Sequence, residues 1–377
     1  MTHSPGLLLT ILAFALVIGP LVFLHELGHY LAGRVFGVKA EVFSIGFGNE
    51  LFGWTDKRGT RWKLSAFPLG GYVRFAGDMN AASQPDADWL MLPPEERARA
   101  FPGKPVWQRA IIVAAGPVMN FIIAIVILAG FALAFGVNDT PPVIGSIQPG
   151  SPAANAKLAP ADRIVALGGR SVENFADIAQ FTVLRPGETI QVDYVRDGVP
   201  ARRALTIGAI VERDRFGNET RIGRLGIEAT TPVLRSVGLL EAPLWATKMT
   251  GEIVQQTLDG LGQIISGRRS VDELGGPLRI AKVSGEQLSL GWAALVWFIA
   301  MISINLGFIN LLPVPMLDGG HLFFYAIEAV RRKPVEPQVQ EWAFRGGLAA
   351  LLALMLLVTF NDLGSFGLWT SLHGLIG

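Results

Sequence analysis

Residues 7 to 24 read LLLTILAFALVIGPLVFL, eighteen positions without a charge, and the same run continues as His25-Glu26-Leu27-Gly28-His29. Crossing the hydrocarbon core of a bilayer takes about 20 mainly apolar residues of helix, so Leu7 to about Val35 reads as a membrane span with a polar insertion near its end. A cleaved signal peptide would have a shorter apolar run, basic residues ahead of it and a small-residue cleavage site behind. The segment has none of these and is expected to stay as a mature span.

The composition of the whole chain points the same way. Of 377 residues, 50% are hydrophobic and only 17% charged, with a mean hydropathy of +0.41, whereas soluble domains carry nearer a quarter charged residues. A net charge of +1 excludes a nucleic-acid binder of the strongly basic type, and the apolar content excludes a disordered tail. The chain has no cysteine, so thiol nucleophiles, iron-sulfur clusters, cysteine zinc sites and disulfides are impossible. A metal site must come from carboxylates and the five histidines, His3, His25, His29, His321 and His373. The two in the terminal flanks, His3 and His373, read as surface residues.

Three further apolar segments match the spanning template: Ala110 to Phe135, Ala293 through Leu312 with a Pro-rich break and a further stretch to Val330, and Trp342 to Phe360. Four transmembrane helices put both termini on one side. The short third connection carries Arg331, Arg332 and Lys333, and the first is rich in Lys and Arg between Lys39 and Lys104, while the flanks 1–6 and 361–377 have neither. The excess of basic residues on cytoplasmic loops therefore predicts cytoplasmic connections, with both termini and the long 136–291 segment outside.

That outside segment reads as a β-rich module followed by amphipathic helix. Ile190, Val192 and Tyr194 alternate with polar residues, and Asp197-Gly198 is a two-residue hairpin signal. NFADIAQFTVL supplies a helical stretch, and LLEAPLWATKMTGEIVQQTLDGLGQII beyond Pro232 has helical periodicity suited to the membrane surface or the module. The expected organisation is a first span (1–35), a loop (36–106), a second span (107–135), the module (136–232), amphipathic helix (233–291), a third span (292–330), a short loop (331–341) and a fourth span with its tail (342–377).

Chemistry concentrates in the first span. His25 and His29 are four residues apart, so on a helix both imidazoles share a face and can converge on one metal, while Glu26 beside them can act on a water there. An ionisable residue at bilayer depth costs about 2.5–3.5 kcal/mol on insertion scales, so Glu26 needs a functional reason. A hydrolytic zinc site commonly has three protein ligands and one open position, so a third should lie at similar depth. The other spans offer Asp318, His321, Glu328 and Asp362. Asp318 lies in Asn310-Leu-Leu-Pro-Val-Pro-Met-Leu-Asp318-Gly-Gly-His321, where prolines and glycines must interrupt a helix, and broken backbone in a membrane belongs where it is buried or lines a wet cavity. Asp318 is preferred because it completes a His₂-carboxylate set, with His321 the competitor on the same face.

His25 to His29 in the first span, Gly116-Pro117-Val118-Met119-Asn120 in the second and Asn310 to Gly319 in the third together resemble the site-2 protease family of intramembrane zinc metalloproteases. With one module between spans two and three, the likeness is to the RseP-type regulator of sigma-E protease, the module at about 140–232 resembling a PDZ domain. The better-known members carry two tandem PDZ domains, and 136–291 has room for one plus a helix. The resemblance implies that His25, His29 and Asp318 ligate Zn2+, that Glu26 is general base and then proton donor, and that Asn310 contacts the substrate backbone. Asn120 reads more simply as a helix-joining amide.

A transmembrane substrate must be unwound before it is cut, and a strand edge can recapture its freed N–H and C=O groups. AEVFSIGFGNELFGW, TRWKLSAF and PLGGYVRFAG supply candidate strands, and the resemblance implies a membrane-associated β loop at about 40–76. The expectation is thus a polytopic α-helical membrane protein of the bacterial inner membrane, with the PDZ-like domain and both termini periplasmic. It would cut transmembrane segments of single-span proteins such as anti-sigma factors, and possible leftovers of signal peptides, with the lipid bilayer and a peptide ligand of the module as partners. The alternatives are a catalytically inactive membrane-anchored PDZ scaffold, and a metal transporter, which would call for several ligand sets or repeats.

Overall fold

A computed structural model describes residues 6–77, 93–213, 219–268 and 275–365. His3, His373 and the tail beyond 365 lie outside the described residues. Two compact units divide the described residues: one takes 6–77, 93–128, 246–259 and 275–362, the other 129–213, 219–245, 260–268 and 363–365.

The helical unit opens with α1 (Leu7–Val35), the strands β1 (Ala40–Thr55) and β2 (Arg61–Phe75), the short α2 (Pro94–Arg97) and α3 (Val106–Phe135), whose last turns run into the second unit. Four helices are long and apolar enough to cross a membrane: α1, α3, the segment Trp292–Leu311 and Gln338–Gly364. Their outward faces remain apolar, as with Leu8, Ile11, Val126 and Leu356, which suits a lipid surround.

β1 and β2 are each bent, and together they make four strand segments. Ile45 pairs with both Gly71 and Leu64, and Phe43 with both Val73 and Trp62, so 42–45 sits between two segments of β2, while 71–74 has no second strand partner among the described residues. Phe43 is 1% exposed and stacks on Trp62 at 4.3 Å between ring centres, within a core that also takes in Tyr30, Val73, Phe75 and Ile112. Burying an aromatic of this size stabilises by about 1.5–3 kcal/mol, which anchors the sheet to α1.

The β-rich unit runs β3 (Val137–Asn138), β4 (Ile144–Ile147), α4 (Pro152–Asn155), β5 (Arg163–Leu167), β6 (Arg170–Ser171), α5 (Phe175–Val183), β7 (Thr189–Arg196), β8 (Val199–Thr206), β9 (Gly208–Arg213), β10 (Glu219–Arg224), β11 (Ile227–Ala229) and β12 (Leu234–Arg235). β6-β5-β7-β8 form an antiparallel sheet, and β4 pairs with β11. The Asp197-Gly198 turn forms as the sequence predicts, with φ +51° and +79°, the two positive values a type I′ hairpin needs. Ile190, Val192 and Tyr194 all enter the core, and α5 begins with a capping box between Asn174 and Asp177.

α6 (Glu241–Ile265) has its middle turns, 246–259, in the helical unit, and α7 (Pro277–Leu290) also belongs to that unit. Ser284 and Gly285 are buried on α7, small enough for a close approach, and Leu288 packs against Val17 and Leu21 of α1. Asp362 caps this helix, accepting from Gly276 N at 3.2 Å and Arg279 N at 3.1 Å, a favourable charge at a helix N-terminus. The expected third span is two helices, α8 (Trp292–Leu311) and α9 (Asp318–Arg331), because Pro313 and Pro315 cannot continue a helix. α10 (Pro337–Ser365) starts five residues before Trp342, with proline in its first turn.

Candidate metal centre

α1 presents His25 and His29 inward, one turn apart, and both are buried, as is Glu26 between them. The break before α9 delivers Asp318 from the other side. Its backbone is unusual there: Met316, two residues ahead, has φ +81°, a value a side-chain-bearing residue rarely adopts away from functional loops.

Three side chains converge. His25 Nε2 lies 3.2 Å from Asp318 Oδ2, His29 Nε2 lies 3.6 Å from Asp318 Oδ1, and the two Nε2 atoms are 3.2 Å apart. A tetrahedral zinc ion with ligands at about 2.0–2.1 Å sets those ligands about 3.3–3.4 Å from one another, so the observed spacing fits such an ion. His29 has its other nitrogen fixed: Nδ1 is 2.9 Å from the Ile112 carbonyl. A carbonyl only accepts, so Nδ1 carries the proton and Nε2 presents a lone pair.

The other acidic candidates from the sequence are engaged elsewhere. Glu328 pairs with Arg109 at 2.7 Å, and Asp362 caps α7. His321 shares the cavity wall, but its ring packs on Phe344 at 4.8 Å between centres, outside the group of converging donors.

Two glycines make room. A Cβ on Gly116 of α3 would overlap His29 Nε2 and stand 2.9 Å from His25 Cε1. A Cβ on Gly71 would stand 2.7 Å from Ser44 O and 2.9 Å from Glu26 Cγ. The outer side of the 71–74 segment thus runs directly past Glu26, with the Val73 amide facing its carboxylate. These atoms line a cavity of about 590 Å³ together with Asn310, Met316 and Phe47. The sequence reading placed strands here but missed that Gly71 abuts Glu26, and it missed the contact of Asn120 with His25 at 3.0 Å. Gly116-Pro117 within an apolar helix was the available signal for a close approach.

The arrangement can hold a divalent cation next to a carboxylate base and beside a strand edge, with both histidines on a helix apolar enough to span a bilayer. The profile of Peptidase family M50 matches residues 13–354. A protein of Agrobacterium fabrum named as a zinc metalloprotease is 44% identical over 360 residues, covering 94% of this chain and 96% of that protein. Metalloprotease MmpA of Caulobacter vibrioides is 37% identical over 394 residues, covering 98% and 99%. Among solved structures, the PDZ domain of an SdrC-like protein from Listeria monocytogenes aligns with 25% of this chain and 90% of its own, at 18% identity and a TM-score of 0.19.

Proposed function

The chain belongs to peptidase family M50, and from that premise we propose that this zinc metalloprotease cuts peptide bonds within transmembrane segments of single-span membrane proteins. The observation that carries the reading is the convergence of His25, His29 and Asp318 beside Glu26, the two histidines and the glutamate lying on a helix as apolar as a lipid-facing span. His25, His29 and Asp318 would hold the zinc. When bound, zinc polarises the scissile carbonyl and lowers the pKa of a water from 15.7 to about 7.

The protein's own groups do the rest. Glu26 takes a proton from the attacking water as its oxygen bonds to the carbonyl carbon, then hands that proton to the departing amine as the C–N bond breaks. Asn310, on the cavity wall, would hydrogen-bond the substrate backbone. The 71–74 edge would take up the unwound substrate as an added strand, restoring hydrogen bonds lost when its helix opens. Exposed Phe47, Phe52, Trp54 and Phe67 on the same hairpin suit a membrane-associated position.

The protein would sit in the bacterial inner membrane, and the charge distribution supports an orientation with the β-rich module and both termini periplasmic and the active site toward the cytoplasm. The module, read as PDZ-like from its order of strands and helices, would tether or size-select the outer part of a substrate. Anti-sigma factors and signal-peptide remnants are the substrate classes this reading favours.

The test is cleavage of a tagged single-span protein by the purified, detergent-solubilised enzyme. Wild type should cut within the span, Glu26→Gln should lose about 10²–10⁴-fold, and chelation should abolish cutting until zinc is returned. Equal behaviour of wild type and Glu26→Gln across several substrates would instead identify an inactive scaffold.

A further inference from the structure

Asn120 is a carboxamide that meets a candidate ligand, and its environment is closed. It is fully buried, its backbone oxygen accepts from Ser303 Oγ at 2.7 Å, and Gly307 of α8 packs against its Cβ. Its side-chain Nδ2 lies 3.0 Å from His25 Nδ1, while its Oδ1 is buried with no hydrogen-bond partner.

The two ends of a carboxamide differ in what they ask of an imidazole. With Nδ2 donating, His25 Nδ1 must be bare, so its proton sits on Nε2 and points to Asp318 Oδ2 at 3.2 Å. That tautomer cannot bind a metal through Nε2. A half-turn of the amide brings Oδ1 into the same position, where it accepts from Nδ1–H and leaves the Nε2 lone pair facing His29 and Asp318. Oxygen and nitrogen have nearly the same size, so the exchange needs no repacking, and it moves the orphaned oxygen onto a donor. His29 has no such choice, because the Ile112 carbonyl facing its Nδ1 can only accept.

We propose that Asn120 is a positioning residue for the metal centre: in the zinc-loaded protein its carboxamide oxygen accepts the Nδ1 proton of His25 and holds that imidazole in its metal-binding tautomer. This inference rests on the ligand set proposed above. It assigns the Asn of the Gly116-to-Asn120 motif to the metal rather than to helix joining alone.

The experiment is zinc affinity of the full chain in detergent, measured by competition with a chromophoric chelator, for wild type, Asn120→Leu and Asn120→Asp. Leu keeps the branched shape and removes the acceptor, and should weaken zinc binding about 10–100-fold, whereas Asp keeps an acceptor and should stay within about threefold of wild type. A merely structural amide would give the reverse order, since Leu fills an interhelical contact and a buried carboxylate disrupts it. Nitrogen-15 histidine spectra of zinc-loaded wild type should show His25 protonated at Nδ1, a readout that needs no variant to fold. Tight zinc binding by Asn120→Leu, or a bare Nδ1 in the loaded wild type, overturns the proposal. Failure of wild type itself to bind zinc would strike the ligand set instead.

Discussion

His29 and Gly116 share a space that admits no other residue than glycine, because a Cβ on Gly116 would overlap the Nε2 atom of His29. Overpacking of this kind costs about 1–3 kcal/mol even where neighbours yield. Here the neighbour is a candidate ligand whose other nitrogen is pinned to Ile112, so the strain falls on the donor geometry. Gly116→Ala should weaken zinc binding about 5- to 150-fold, the same 1–3 kcal/mol expressed as affinity, while leaving helix content by circular dichroism unchanged.

Asp318 and His321 were rivals in the sequence, three residues apart on one helix face, and they now predict opposite phenotypes. Asp318→Ala removes an oxygen from the converging set and should yield protein purified with little zinc. His321→Ala removes a ring packed on Phe344 and Tyr325, and should keep its zinc while losing thermal stability by about 1–3 kcal/mol. Metal analysis beside a melting curve separates the two. Zinc loss in His321→Ala with retention in Asp318→Ala would reverse the assignment.

The legible parts of this molecule were those governed by local rules. Apolar runs gave α1, α3, α8 and α10, the i, i+4 spacing put His25 and His29 on one face, and Asp197-Gly198 formed its hairpin. What escaped depends on partners distant in sequence. α7 carries Arg279, Lys282 and Glu286 and looks like a surface helix, yet Ser284 and Gly285 let it lie against α1, a packing decision that no periodicity records. Asn120 could be read only as a polar residue in a span until α1 placed His25 Nδ1 beside it, 95 positions away in sequence. The two-sided pairing of Phe43 and Ile45 likewise arises from bends in both strands rather than from their alternation.

Gly71 tests whether the strand edge works with Glu26. A Cβ there would press on Ser44 O, Glu26 Cγ and Val22 Cγ1, moving the edge away from the base without touching the converging donor atoms. Gly71→Ala should therefore lower kcat/KM for a transmembrane substrate by about 10-fold or more while zinc affinity stays at the wild-type value. Loss of zinc in this variant would mean that the edge supports the metal centre rather than the substrate.

The β-rich unit carries its own pH signature. Asp162 is fully buried and accepts two hydrogen bonds from Arg196, at 2.6 and 2.7 Å, with a third from Ala159 N at 2.8 Å. Burial alone would push its carboxyl up, but the Arg196 guanidinium and the Ala159 amide outweigh burial and hold it below the usual carboxylate range. Because the folded value lies below the unfolded one of about 3.9, the unfolded state takes up a proton first on acidification. The contribution is therefore complete above about pH 5 and is lost as pH falls toward the lowered folded value. Asp162→Asn removes the charge at every pH and leaves the Arg196 guanidinium without its carboxylate, so it should cost about 1–3 kcal/mol at pH 7 and flatten the acid side of the stability profile. Urea unfolding of the full chain, followed by a fluorophore attached in the module at pH 7 and pH 3.5, measures both. A variant whose loss is as large at pH 3.5 as at pH 7 would assign the stabilisation to packing instead of to the ion pair.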